Sequence, residues 1–298
     1  MRLRWAGNVR RHVLITPIDP GACNHEPSTY GPSGAYEMRP WVRRVTLTLR
    51  FDDPVPREGM KALPRVVQLP YISSVRWHPE WGSDASPWRA AVRGERRQLL
   101  ASFTGSLRGN PLSMRLRSAL VRQCASVPSS VCKSHVSEEW KLSPPSEASA
   151  TSRQEATLRR MLHLKRRSVF CLEPPGYSPP RKSIIDSLLS GCVPVLFYEP
   201  QLYESMMPHF FLPWGYNASV RLSASALLSG QLDVLQYLAS LPEVRVLHMR
   251  EVIAKHAHRL LYGLGEHGVP GDAIHQLVAL LTQDVSDSGL ASAVAATV

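Results

Sequence analysis

The residues with the most chemistry in them lie between positions 168 and 198. Gly176, Tyr177 and Ser178 follow an apolar run, Val169 to Leu172, and Arg181 comes three residues later. Ser178 before Pro179 reads as a helix start, a hydroxyl N-cap with proline at the first helical position. A helix that opens from a glycine loop after a parallel strand aims free backbone N–H groups and its dipole at one point, which suits an anion. Arg181 would then stand in the first turn, where its charge opposes the dipole, so the partner it implies is an external anion such as a diphosphate. Gly176 permits close backbone approach, and it serves equally as a plain turn glycine. A second arginine, Arg108 in FTGSLRG, sits in the loop after another strand, where ligands of parallel sheets gather. Glu173 directly follows the 169–172 run and is placed near the same site as a candidate catalytic carboxylate. His78 in SVRWHP is a candidate base or acceptor contact, or simply an exposed loop histidine. Trp77, Trp81 and Trp88 could stack on sugar rings or pack half-buried in an irregular segment.

Elements must hold these residues in place. Ile184, Ile185, Leu188 and Leu189 recur at helical spacing, Gly191 closes that helix, and Val193 to Phe197 is a further buried strand. From about residue 95 strand and helix alternate. LLASFTG (99–105) reads as a strand and residues 112–124 as an amphipathic helix carrying Leu116, Leu120 and Val121 on one face. Residues 126–150 are serine-rich and read as a flexible surface loop. A helix near 151–163 leads into the strand at 168, and helices follow near 223–240, 249–264 and 271–284. Earlier, 12–18, 42–51 and VVQLPY (66–71) read as strands in an otherwise irregular stretch. This alternation predicts an α/β fold, a Rossmann-like lobe with a parallel sheet and helices on both faces.

Composition bounds the rest. The chain has 298 residues, 44% hydrophobic and 20% charged, enough for one large or two ordinary domains with a sizeable core. Its formal charge of +11 comes from short clusters such as Arg96-Arg97 and Lys165-Arg166-Arg167. No nucleic-acid motif accompanies that charge, so the expectation is a solvated basic surface or a field that draws in acidic small molecules and glycans, and no nucleic-acid partner. Five cysteines show neither C-x-x-C spacing nor a metal-ligand array. Cys124 and Cys132 could form a disulfide in a luminal chain, while Cys171 and Cys192 read as small buried thiols. No D-x-D pair stands at a strand end, and Asp52-Asp53 before Pro54 reads as a turn, so a diphosphate leaving group is expected to be handled by arginines and backbone donors with no metal and no cofactor.

The string SVFCLEPPGYSPPRKSIIDSLLSGCVPVLFY also resembles a family, the exostosin-type glycosyltransferases (glycosyltransferase family 47), in their plant xyloglucan galactosyltransferase-like branch. Ser168, Phe170, Cys171, Leu172, Pro174, Gly176, Ser178, Arg181, Ser183, Asp186, Ser187, Gly191, Cys192, Pro194 and Val195 carry the likeness, and it extends over roughly residues 8 to 285. The resemblance implies a two-lobed GT-B architecture. Residues 1–90 would be the remnant of an N-terminal, acceptor-side lobe, 91–285 the nucleotide-sugar-binding lobe and 286–298 a flexible tail. It implies a UDP-sugar donor held by Arg108, Gly176, Tyr177, Ser178 and Arg181, with Asp186 on the ribose hydroxyls, and a glycan acceptor. Inverting transfer from a UDP-sugar such as UDP-galactose, in polysaccharide or glycoprotein glycan synthesis, is the expected activity. The alternative is an inactive, truncated module that binds nucleotide or glycan or partners a paralogous active glycosyltransferase. Family members are Golgi proteins with an N-terminal membrane anchor. The start of this chain has charges but no apolar stretch of adequate length, so a Golgi membrane or lumen location is expected through an anchor missing from the sequence.

Overall fold

A computed structural model describes residues 13–16, 43–47, 66–75, 86–90, 93–108, 110–137, 148–176, 181–197, 210–262 and 269–287. His78, Trp77, Trp81, Tyr177 and Ser178 lie outside the described residues.

Two parallel sheets organise the chain. The first has three strands, β1 (Val13–Thr16), β2 (Arg43–Leu47) and β3 (Val66–Leu69), in the order β1-β2-β3. The second has five, β4 (Leu99–Gly105), β5 (Cys132–Val136), β6 (Ser168–Glu173), β7 (Val193–Leu196) and β8 (Val220–Arg221), in the order β5-β4-β6-β7-β8. Helices α1 (Pro111–Ala125), α2 (Ala148–Arg167) and α3 (Lys182–Leu189) connect β4 to β5, β5 to β6 and β6 to β7. A single-turn α4 (Leu212–Gly215) precedes β8, and α5 (Ala224–Leu228), α6 (Val234–Ala239), α7 (Glu243–His256) and α8 (Ala273–Asp287) follow it. Among the described residues no helix is long and apolar enough to cross a membrane.

Handedness assigns the helices to faces. Parallel crossovers are right-handed, so α1, whose crossover steps outward to β5, lies on one face. The α2 and α3 crossovers step the other way and lie on the opposite face. The packing agrees: α1 contacts α5 and α6, and α2 contacts α3. The central strands β6 and β7 are buried along almost their whole length, which is why they read as continuous apolar runs.

Three expectations are corrected. Residues 132–136 are the strand β5, not part of a loop. It lies at the sheet edge with only Cys132 fully buried, so its polar sequence CKSHV gives no apolar alternation to read. Helix α3 starts at Lys182, and Arg181 is its N-cap, extended at φ −137°, rather than a first-turn residue. Cys171 and Cys192 are not thiols but a disulfide that ties β6 to the turn after α3. A second disulfide, Cys124–Cys132, ties the end of α1 to β5.

Gly191 closes α3 as expected. Its φ is +68°, and a Cβ there would fall 2.6 Å from Arg97 Nη2 and 2.8 Å from the Pro87 carbonyl oxygen. The Arg97 guanidinium takes that space because it donates to the Ser190 and Gly191 carbonyls at 3.0 and 3.2 Å, and to that of Arg166, capping the C-termini of α2 and α3 together. The Cys171–Cys192 bridge closes a 21-residue separation over the same region. Replacing both cysteines by serine should lower the unfolding free energy by about 3 kcal/mol, measured by urea titration under non-reducing conditions.

Candidate functional site

Counted from β4, the large sheet runs 2-1-3-4-5, an order whose winding reverses between its first and third strands. Open α/β sheets bind ligands in the crevice outside the carboxyl ends of the strands at that reversal. Here the crevice lies between β4 and β6. Its described walls are residues 106–108, after β4, and residues 174–176, after β6.

The first turn of α1 ties these loops together. Asn110 caps the helix by accepting from the Ser113 N–H at 2.8 Å, and its own amide donates to the Gly176 carbonyl at 3.5 Å. Ser113 donates to the Pro175 carbonyl at 2.6 Å. Arg117, one turn further, is buried and forks across the crevice. Nη1 donates to the Ser106 and Arg108 carbonyls, both at 2.7 Å, and Nη2 to that of Pro175 at 3.2 Å. Gly176 sits beside two guanidinium-bearing side chains. A Cβ on it would stand 3.3 Å from Arg181 Cδ and 3.5 Å from Arg117 Nη2. Arg181 donates to the Pro174 carbonyl and lies 3.8 Å from Glu173 Oε2.

The expected residues therefore separate into groups. Gly176 and Arg181 stand at the crevice, and the Arg108 side chain is exposed on its other lip, its carbonyl held by Arg117. Glu173 is fully buried. Its Oε1 accepts from Lys165 Nζ at 2.5 Å, Ser187 Oγ at 2.7 Å and Ser183 Oγ at 2.9 Å. Burial alone drives this carboxyl up. The charges of Lys165 and Arg181, with the hydrogen bonds from Lys165 and Ser187, outweigh it and hold the group below the ordinary carboxylate value. Asp186 is also buried. Its Oδ1 accepts from Ser73 Oγ and the Ser74 N–H, both at 2.7 Å, and its Oδ2 from Lys182 Nζ at 2.9 Å. These contacts pin the segment after β3 against α3, and Tyr262 adds a hydrogen bond to the Pro70 carbonyl at 2.6 Å. Trp88 packs in the core, and Arg250, also buried, donates to the Glu95 carbonyl at 3.2 Å.

Sequence reasoning missed Arg117 and Lys165. Both carried a signal. Ser113, Leu116, Arg117, Leu120 and Cys124 form the buried stripe of α1, and Lys165 continues the spacing of Leu158 and Leu162. A cation at a core position of the helical period is buried for a partner.

Comparison with known proteins adds a lineage. A profile of the Exostosin GT47 domain matches residues 4–236. The chain is 33% identical over 191 residues to xyloglucan-specific galacturonosyltransferase 1 of Arabidopsis thaliana, covering 63% of this chain and 26% of that protein. It is 30% identical over 188 residues to xyloglucan galactosyltransferase MUR3 of the same plant, covering 62% and 28%. The chain thus spans about a quarter of the length of these curated relatives. Among solved structures, that of the GtfA/B complex aligns with a TM-score of 0.43 at 12% identity, over 84% of this chain and 54% of that one.

Proposed function

The chain belongs to the exostosin GT47 family, and from that premise we propose that the crevice between β4 and β6 holds a nucleotide-sugar for glycosyl transfer to a glycan. The observation that carries this reading is Gly176, a position without a side chain flanked by Arg117 and Arg181 at the reversal of the sheet. A diphosphate seated over Gly176 would take a charge-assisted hydrogen bond from Arg181, with Arg108 closing from the opposite lip. Tyr177 and Ser178 complete the loop between Gly176 and Arg181 in sequence and are assigned to the same task. We take the donor to be a UDP-sugar and the outcome to be inversion. The acceptor hydroxyl oxygen attacks the anomeric carbon, the bond from that carbon to the diphosphate oxygen breaks, UDP leaves with the electron pair and a base receives the proton. Stabilising the charge that develops on UDP is the task of the arginines. We take this route to need no metal, with arginines and backbone donors carrying the charge of the leaving diphosphate. We assign Glu173 and Asp186 to positioning, since Glu173 Oε1 and both Asp186 oxygens already accept from protein donors. His78 remains the candidate base, and the two-lobed GT-B arrangement, with residues 1–90 on the acceptor side, is part of the proposal. Two disulfides suit the oxidising lumen of the secretory pathway and support a Golgi location.

The test is calorimetric titration of UDP and of UDP-sugars into the chain and into Arg181→Ala. Wild type should bind UDP, and the variant should bind at least about tenfold more weakly through the lost charge-assisted contact. Absence of UDP binding by the folded chain would sink the donor-site reading. One observation favours a second reading, a binding module that relies on an active partner: Asp186 accepts from protein donors on both oxygens, and Glu173 is buried in an ion pair with Lys165. A chain that binds UDP-galactose but neither transfers nor hydrolyses it supports the module.

A further inference from the structure

The carboxyl edge of the large sheet has a second polar lining, on the face opposite α1. Side chains alternate between faces along a strand. The register sets Thr104 beside His135 and Phe103 beside Leu172, so Thr104 also neighbours Glu173, the next residue of β6. Ser137 follows β5, donates its N–H to the Gly105 carbonyl at 2.9 Å and by alternation shares the face of His135 and Thr104. Thr104 is 3% exposed and Ser137 5%, and neither hydroxyl has a hydrogen-bond partner. Oε2 of Glu173, on the neighbouring strand, also accepts no hydrogen bond, although Arg181 stands 3.8 Å away. Buried hydroxyls are nearly always paired, and an unpaired one destabilises the fold. Here the two stand near the carboxyl ends of adjacent strands, Thr104 one residue before the end of β4 and Ser137 one residue after the end of β5.

We propose that the Thr104 and Ser137 hydroxyls form the subsite for the hydroxyl groups of the transferred sugar, beside the diphosphate position at Gly176. The inference rests on the donor-site reading above and deepens it. The sugar brings the donors and acceptors that these side chains lack. Thr104 is held within β4 and Ser137 is tied to that strand by its N–H bond to Gly105, so the pair would select among sugars by the placement of their hydroxyls. Ser102 supplies an internal control. It lies two residues deeper in β4, on the same face as Thr104, 1% exposed and also without a partner, about 7 Å further from the edge.

The experiment measures thermal melting and calorimetric affinity for UDP and UDP-galactose in Thr104→Val, Ser137→Ala, Thr104→Ser and Ser102→Ala. Removing a partnerless hydroxyl should leave the melting temperature unchanged or raise it in Thr104→Val, Ser137→Ala and Ser102→Ala. UDP-galactose should bind about tenfold more weakly to Thr104→Val and to Ser137→Ala, the loss of roughly one good hydrogen bond, while UDP affinity is unchanged. Thr104→Ser should retain sugar-nucleotide binding, and Ser102→Ala should bind both ligands as wild type does. A lowered melting temperature in Thr104→Val that Thr104→Ser restores would overturn the proposal, because the hydroxyl would then have a protein partner. Unchanged UDP-galactose affinity in the two hydroxyl deletions would also overturn it. Equal weakening of UDP and UDP-galactose would place the nucleoside diphosphate there instead of the sugar. A wild-type chain that binds neither ligand would remove the donor site itself, and this subsite with it.

Discussion

Replacing Lys165 by methionine is expected to destabilise the fold by about 3–5 kcal/mol at neutral pH, the usual cost of stranding one member of a buried ion pair. Lys165 and Glu173 side chains are 2% and 1% exposed and meet at 2.5 Å. Lys165 Nζ also donates to Ser187 Oγ at 2.7 Å and Ser183 Oγ at 3.2 Å, so the pair joins the last turn of α2, the end of β6 and the face of α3. Without the ammonium much of the pull that holds Glu173 down is gone, and burial pushes its value up. Much of the loss should return in the double variant Lys165→Met with Glu173→Gln, which removes both charges. The pH dependence tests the same point. In wild type the folded value is lowered, so the contribution of Glu173 is fully present above the unfolded carboxylate value, about 4.3, and is lost as pH falls through the folded one. In Lys165→Met the folded value is higher than in wild type, so less stability is gained above the unfolded value. The gap between the two proteins should therefore narrow in acid, as read by urea titration in acid and at neutrality. A constant gap would mean that Lys165 acts by packing alone.

Arg117→Met should carry the next largest effect, about 2–4 kcal/mol of stability together with at least a tenfold loss of UDP affinity. Three part-buried carbonyl contacts, to Ser106, Arg108 and Pro175, end on one buried guanidinium, and each hydrogen bond to a charged donor contributes about 1.5–3 kcal/mol before water replaces part of it. The methionine fills the volume of the stem, so the loss reports the fork and not a cavity. Arg117→Lys should rescue little, because a single ammonium cannot span carbonyls on two loops in the fixed geometry of a guanidinium. Both lips of the crevice then lose their shared tether, which separates this variant from Arg181→Ala, where binding falls while the fold persists. Urea titration and UDP calorimetry on the same preparations read both effects. Unchanged UDP affinity in a destabilised Arg117→Met would show that the lips are set by other contacts.

Much of the large lobe is legible residue by residue. β4 spans Leu99–Gly105, the stretch marked by its apolar run, and α1 extends only a residue beyond the amphipathic 112–124 window at either end. Gly191 ends α3 because a positive φ at a helix C-terminus is a local demand. The one helix expected near 223–240 is two, α5 and α6, each with its own cap, Ser223 and Asp233. The start of α3 misleads: Ser178-Pro179 has the local grammar of a helix start, yet Arg181 stays extended. Its guanidinium is held by the Pro174 carbonyl and the Glu173 carboxylate, partners from the preceding strand end.

By itself, then, the sequence determined the alternation of strand and helix, the parallel lobe, the family and the loops that flank the crevice, because periodicity, caps and motif order are written within a few residues of each other. Tertiary structure alone decided which side chains serve that crevice. Arg117 reaches carbonyls on two loops, Asp186 accepts from Ser73 more than a hundred positions away, and Cys171 finds Cys192 across an intervening helix. Burial pairs Glu173, a candidate catalytic carboxylate by its place in the sequence, with Lys165, since a carboxylate removed from water must be neutralised by whatever the fold brings beside it.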